Sequence, residues 1–216
     1  MSAPSHKIVP LMIRTALLAI VLAIASLQAA LALDRMLTVE ETRIIQAIGR
    51  HHSQIGSMAG RFLQIDTQGN RIEGTFFLDR PDKIRFRYGP PSKEEIISVG
   101  RGFYVINREE RTKYAYPQDR VPLRQFLSDR IDFFSANLQD VVLTDDFISI
   151  VIADDSPIGT VEVALIFEVD TLELRQWTLT EPSGAQLTFS VYEVEKNVDI
   201  PRAFFYIDPT YSAPAQ

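Results

Sequence analysis

The sequence predicts a mostly β fold: one strongly curved antiparallel sheet of ten or eleven strands under a single long helix. Three observations predict it. From Gly56 onward apolar residues recur with period two. Turn clusters interrupt that alternation at regular intervals. Before Gly56 stands one stretch with helical rather than strand periodicity.

That stretch, residues 37–55, opens on Thr38 with Glu41 three places on, a capping box that satisfies the orphan N–H groups of a first turn. Ile44, Ile45, Ile48 and His52 share one face, with Ile55 a turn further, and Gly56 is a stop signal. The narrow apolar stripe is suited to packing on a sheet.

The strands follow in order. Phe62–Ile65 is extended, and Asp66–Asn70 turns it. Ile72–Leu78 is the second run, ended by Arg80-Pro81-Asp82. Ile84, Phe86 and Tyr88 then alternate with Lys83, Arg85 and Arg87, a half-buried strand with one wet face. Gly89-Pro90-Pro91 closes it. Ile96–Val99 and Phe103–Ile106 form a hairpin about Gly100-Arg101-Gly102, and Lys113–Tyr116 is a short strand. Residues 118–136 break the pattern, with Val121–Leu127 expected as a short helix or ordered loop. Strands resume at 141–143, 148–153, 160–169, 172–180 and 185–192, jointed at Asp145-Asp146, Asp154-Asp155-Ser156-Pro157, Asp170-Thr171 and Glu181–Gly184. Pro201–Phe205 is expected to make one helical turn, and Tyr211–Gln216 to be loose.

The first 32 residues read as an export signal. Lys7 and Arg14 precede an uncharged run, Thr15–Leu33, and Ala30-Leu31-Ala32 is a small-x-small cleavage site. A retained membrane anchor is the alternative, since 19 uncharged residues approach the length of a span. Cleavage after Ala32 leaves 33–216 as one domain. It removes two bases and no acid from the 22 basic and 28 acidic residues of the chain, so the mature net charge is near −8. That balance argues against a nucleic-acid partner. There is no cysteine, so packing alone holds the exported fold together.

A sheet this large needs more cover than one helix and a short segment supply. Its inward set includes large side chains: Phe62, Phe76, Ile84, Phe86, Phe103, Ile150, Leu165, Phe167, Trp177, Leu179 and Phe189. An incompletely closed barrel of this kind leaves an apolar cleft of the sort that takes hydrophobic ligands. Such an alternating, aromatic-rich pattern is more often that of a plain core.

Several stretches, in order, resemble the periplasmic outer-membrane lipoprotein carriers, the LolA-like family. They are Met58–Gln64, Gly74–Phe86 with Arg80-Pro81 before the next strand, and the hairpin Ser98–Ile106. Pro122-Leu123 with Phe126-Leu127, and Phe205-x-x-Asp208-Pro209, continue the likeness. The resemblance implies an open, incomplete barrel of about eleven strands covered by a long N-terminal helix and a short helical lid. It implies a monomeric periplasmic carrier, using no cofactor, that holds the acyl chains of lipoproteins. Cargo would come from an inner-membrane ABC-type extractor and pass to an outer-membrane receptor lipoprotein. Carried over residue by residue, Phe62, Phe76, Ile84, Phe86 and Phe103 are expected to line the acyl cleft. Arg80 is expected to govern lid closure through backbone carbonyls of the covering helices, and Pro81 to end its strand. Arg124 inside the lid, and the charged turn Arg108–Arg111, depart from the family pattern.

The residues select no enzyme chemistry. There is no Gly-x-Ser-x-Gly elbow and no Gly-rich phosphate loop. His51 and His52 are adjacent and so point to different faces of a helix, which does not make a metal pair. A carrier or sensor of free lipid or glycolipid on the same fold, a hydrolase of an envelope polymer, and a domain gripping a peptide edge are the alternatives.

Overall fold

The computed structural model describes residues 35–122, 124–156 and 159–213. The predicted export segment, Leu123 of the lid motif and the last three residues lie outside them.

Helix α1 (Val39–Ser53) begins at the predicted capping box: Glu41 N–H donates to Thr38 Oγ1 at 3.1 Å, and Thr38 N–H to Glu41 Oε2 at 2.8 Å. Arg35 grips the same carboxylate with two bonds, at 2.8 and 2.7 Å. These donors hold the Glu41 carboxyl down at about 2, the Arg35 guanidinium being the chief cause.

The strands are β1 (Ser57–Asp66), β2 (Arg71–Asp79), β3 (Lys83–Tyr88), β4 (Glu94–Val99), β5 (Gly102–Asn107), β6 (Thr112–Pro117), β7 (Asn137–Leu143), β8 (Phe147–Ser156), β9 (Gly159–Glu168), β10 (Leu174–Thr180) and β11 (Gln186–Lys196). They form one antiparallel sheet in the order β6-β5-β4-β3-β2-β1-β11-β10-β9-β8-β7. Two meanders, β1–β6 and β7–β11, are therefore zipped together by the pair β1–β11, and the open edges are β6 and β7. The chain between those edges, residues 118–136, crosses the open side.

The two meanders are filled differently. On the β7–β9 side Ile148, Ile150, Ile152, Val163, Leu165 and Phe167 are fully buried, in one cluster with Ile45 and Ile48 of α1. Gly49 lets the helix close on the crossing segment, for a Cβ there would meet Ile131 O at 2.9 Å, and Ser53 Oγ accepts from Ile131 N–H at 2.9 Å. On the β3–β5 side Ile84, Phe86, Ile96, Phe103 and Val105 are only partly buried.

Two local expectations are corrected and one is made specific. The short helix or ordered loop expected at Val121–Leu127 takes the form of two 3-10 turns, Gln118–Arg120 and Arg124–Leu127. Pro122 lies between them and removes one N–H donor from any longer helix. Asp154–Ser156 is not a joint; it prolongs β8, with Ser156 paired to Gly159, whose φ of +115° turns the hairpin. The chain at Tyr211–Ala213 is not loose, because Ser212 pairs in parallel with Thr112 and accepts from Lys113 N–H at 2.8 Å. That contact covers part of the β6 edge, as Arg35 covers β7 by donating to Val141 O at 3.1 Å. The expected turn at Pro201–Phe205 is a 3-10 turn, Arg202–Phe205, on the outer face of β3 and β4.

Candidate apolar binding cavity

Register decides what lines the concave face. Gly60, Phe76, Phe86, Ile96 and Val105 lie side by side across β1 to β5, and Met58, Leu78, Ile84, Ser98 and Phe103 form the next row. Across β10 and β11, Trp177 faces Phe189, their rings stacked at 4.9 Å between centroids and 10° between planes. Phe86 meets both rings edge-on or tilted, at 6.1 and 6.0 Å. Between these walls and the crossing segment lies a cavity of about 740 Å³, lined mostly by apolar side chains. That volume is in the range of ligand pockets.

Of the predicted wall residues, Phe76, Ile84, Phe86 and Phe103 lie in the lining. Phe62 does not. It is 0 % exposed and sits beneath the wall, its ring 5.3 Å from Phe86 and 5.1 Å from Tyr88. The cause is its cross-strand partner, Gly74: a Cβ there would fall 2.5 Å from the Phe62 ring. The glycine lets the ring lie flat on the neighbouring strand instead of standing into the cavity. Trp177, Leu179, Phe189 and Leu165, read from sequence only as inward-facing, also line it, as do Met58, Leu78, Val105 and Tyr116. Alternation along β5 and β6 carried the signal for Val105 and Tyr116.

The crossing segment is the cover. Val121, Pro122, Phe126 and Leu127 present its apolar side to the cavity. It is tied down through main chain and amides. Asp82 N–H donates to Leu127 O at 2.8 Å, and Gln118 Nε2 to Asp82 O at 2.9 Å and to Ser98 Oγ at 2.5 Å. Arg80 is the central tie. Its Nε donates to Phe126 O at 2.8 Å, and its Nη1 to His52 O at 3.1 Å and to Ile55 O. One side chain thus joins the end of α1 to the lid. Arg80 is 9 % exposed, and desolvation, opposed by the charge of Asp129, pulls its pKa down to about 10, still charged at neutral pH. Three carbonyls suit a planar head with five donors. Pro81 stands two residues past the end of β2 and is not in the lining.

At the same end His52 is buried beside Phe167, its ring 5.4 Å away. Its Nε2–H donates to Leu172 O at 2.9 Å, which requires a proton on Nε2. Burial pushes its pKa down to about 4, with the His51 ring and Arg80 acting in the same direction. Glu173, held by His51 at 2.9 Å and Lys196 at 2.5 Å, closes this polar end of the cavity. Among the described residues no group of three His, Cys, Asp or Glu side chains could hold a metal ion.

The structure is thus an open barrel with an apolar cavity under a tied lid, the architecture of a binding scaffold. Comparison with known proteins narrows the class. Residues 53–208 match the family described as outer membrane lipoprotein carrier protein LolA, and the chain belongs to that family. An outer-membrane lipoprotein carrier protein from Alkalilimnicola ehrlichii is 33 % identical over 67 residues, 29 % of this chain. The match spans only 31 % of that relative's length. Among solved structures, a DUF1329 family protein from Desulfovibrio piger superposes with a TM-score of 0.51 at 8 % identity, covering 78 % of this chain and 98 % of the other. A LolA superfamily protein from Nitrosomonas europaea gives 0.44 at 12 % identity, over 76 % and 97 % of the two chains. The Desulfovibrio likeness is one of fold.

Proposed function

We propose that this protein is a periplasmic carrier that shelters the acyl chains of lipoproteins in its 740 Å³ cavity between the inner and outer membranes. The cavity itself carries the reading: a large apolar space with a lid held by hydrogen bonds to main chain. Each methylene removed from water contributes about 0.8 kcal/mol, so a sixteen-carbon chain is held back from water by about 12 kcal/mol. An acylated protein crosses an aqueous gap only if something supplies a comparable apolar surface. In this reading the exported chain is cut after Ala32 and residues 33–216 work as a monomer. Cargo arrives from an ABC-type extractor in the inner membrane and leaves to a receptor lipoprotein in the outer one.

Phe76, Ile84, Phe86 and Phe103 contact the chains, over a foundation to which Phe62 belongs. Arg80 is the latch. Its three bonds to carbonyls of α1's end and the lid are made when the cavity is shut and broken when chains push Phe126 and Leu127 outward. The strained, loaded state then returns toward closure as cargo leaves.

The test is to incubate residues 33–216 with spheroplasts and identify released material by mass spectrometry. Released proteins with an acylated N-terminal cysteine support the reading; phospholipid or glycolipid alone moves the assignment to a free-lipid carrier. Arg80→Leu should still load cargo but deliver it poorly to outer-membrane vesicles, and normal delivery would remove the latch role. Phe86→Glu should lose loading by more than about 100-fold, because an unpaired carboxylate is costly in an apolar wall. A folded variant that loads normally would show that Phe86 does not touch the chains.

A further inference from the structure

The lid has a second face. Gln118, Asp119, Arg124 and Gln125 point away from the apolar cavity into a separate polar cleft of about 530 Å³. Its opposite wall is the end of β8 and the start of β7, with Asn137, Asp154 and Asp155. Neighbouring residues line the two spaces. Asp155 lines the cleft and the next residue, Ser156, lines the cavity; Gln125 lines the cleft and Phe126 the cavity. The lid and the end of β8 thus carry an apolar surface toward the cavity and a polar one toward the cleft.

We propose that the cleft receives the first polypeptide residues that follow the acylated end of a cargo, and that it favours basic or neutral residues there over acidic ones. The proposal rests on the acyl-chain reading of the neighbouring cavity. The cleft offers amides and hydroxyls, from Gln118, Gln125, Asn137 and Ser128, as partners for an extended main chain. Its charge sets the preference. Arg124 is ion-paired with Asp154 at 2.5 Å, which leaves Asp82, Asp119 and Asp155 to decide the sign of the field.

The experiment uses residues 33–216 and two synthetic lipopeptides with the same diacylated cysteine, one followed by Ser and four Lys, the other by Ser and four Glu. Binding is read from the fluorescence of Trp177, the one tryptophan of the chain, which stands in the cavity wall. The basic tail should bind about tenfold more tightly at low salt, with the gap closing at high salt. The double substitution Asp119→Asn, Asp155→Asn should shrink the gap, whereas Asp145→Asn, Asp146→Asn, the same charge change in the β7–β8 turn, should not. Equal affinities with both lipopeptides bound would overturn the cleft and leave the cavity reading intact. The same holds for a gap that responds equally to both double variants, since net charge alone would then account for it. Binding of neither lipopeptide would overturn both readings.

Discussion

The two meanders of the sheet carry the same alternation of apolar and polar residues and put it to different uses. On β7–β9 the side chains of Ile148, Ile150, Val163 and Phe167 are buried in one core cluster with α1, and of the apolar residues there only Val161 and Leu165 reach the cavity. On β3–β5 the corresponding residues, Ile84, Phe86, Ile96, Phe103 and Val105, face open volume. The side chains are as large and as apolar on one side as on the other. What differs is the cover: fifteen residues of helix with Ile45 and Ile48 pointing down, against two 3-10 turns joined through Pro122. A cavity in this fold is thus a place where the lid is too thin to fill the space, rather than a place where the wall is special.

Substitution can break or sharpen this contrast. The largest effect is expected at the sealed side. Phe167→Ala should lower stability by about 3–5 kcal/mol, the usual cost of emptying a packed aromatic site, measured by denaturant unfolding. A loss under 1 kcal/mol would mean that the β7–β9 side is not the rigid half.

The helical seal can be tested by acid. His52 has a folded pKa near 4 against an ordinary value of 6.5. Above pH 6.5 the ring is neutral in both states and the full stability is present. As pH falls from 6.5 to 4 the unfolded chain takes up a proton that the folded one refuses, so stability should drop by about 3 kcal/mol across that window. Glu41, held at about 2, gives its own loss only below its ordinary value of 4.5, so the two separate on the pH axis at the upper end. His52→Gln should flatten the profile between pH 6.5 and 4.5; an unchanged slope there would assign the acid sensitivity elsewhere.

The smallest effect belongs to the open side. Phe103→Ala removes a ring that is already partly exposed in the cavity, and should cost about 1 kcal/mol or less in stability while weakening acyl-chain binding. Equal stability losses at Phe103 and Phe167 would erase the distinction between the two halves.

Much of this was legible in the chain because it is local. Thr38 and Glu41 declare the helix start, and Lys83–Tyr88 declares which face of β3 is wet, since both signals sit within a few residues. What was not legible depends on register between distant segments. Phe62 reads like Phe76, a large ring on an alternating strand. Only the pairing with Gly74 lays it flat and removes it from the lining. The polar cleft is similarly hidden. Asp154 and Asp155 look like turn residues until β8 is seen to continue through them and bring them opposite Gln118 and Asp119. Arg80 stood out by resemblance, but its partners, the carbonyls of residues 52, 55 and 126, carry no side-chain signature at all.

The strand order has a consequence for how the molecule comes into being. Nine of the ten neighbouring strand pairs join consecutive strands, and β1–β11 alone ties residues 58–66 to residues 187–196. Each meander can therefore nucleate from short-range hairpins, while the long-range zipper waits for β11, the last strand of the sheet to be made. Until that last strand arrives, the apolar concave faces of both halves stand open to water with bare edges at β1. The interval before β11 pairs is when this chain is most exposed to aggregation, and its length is set by how soon the last strand is made.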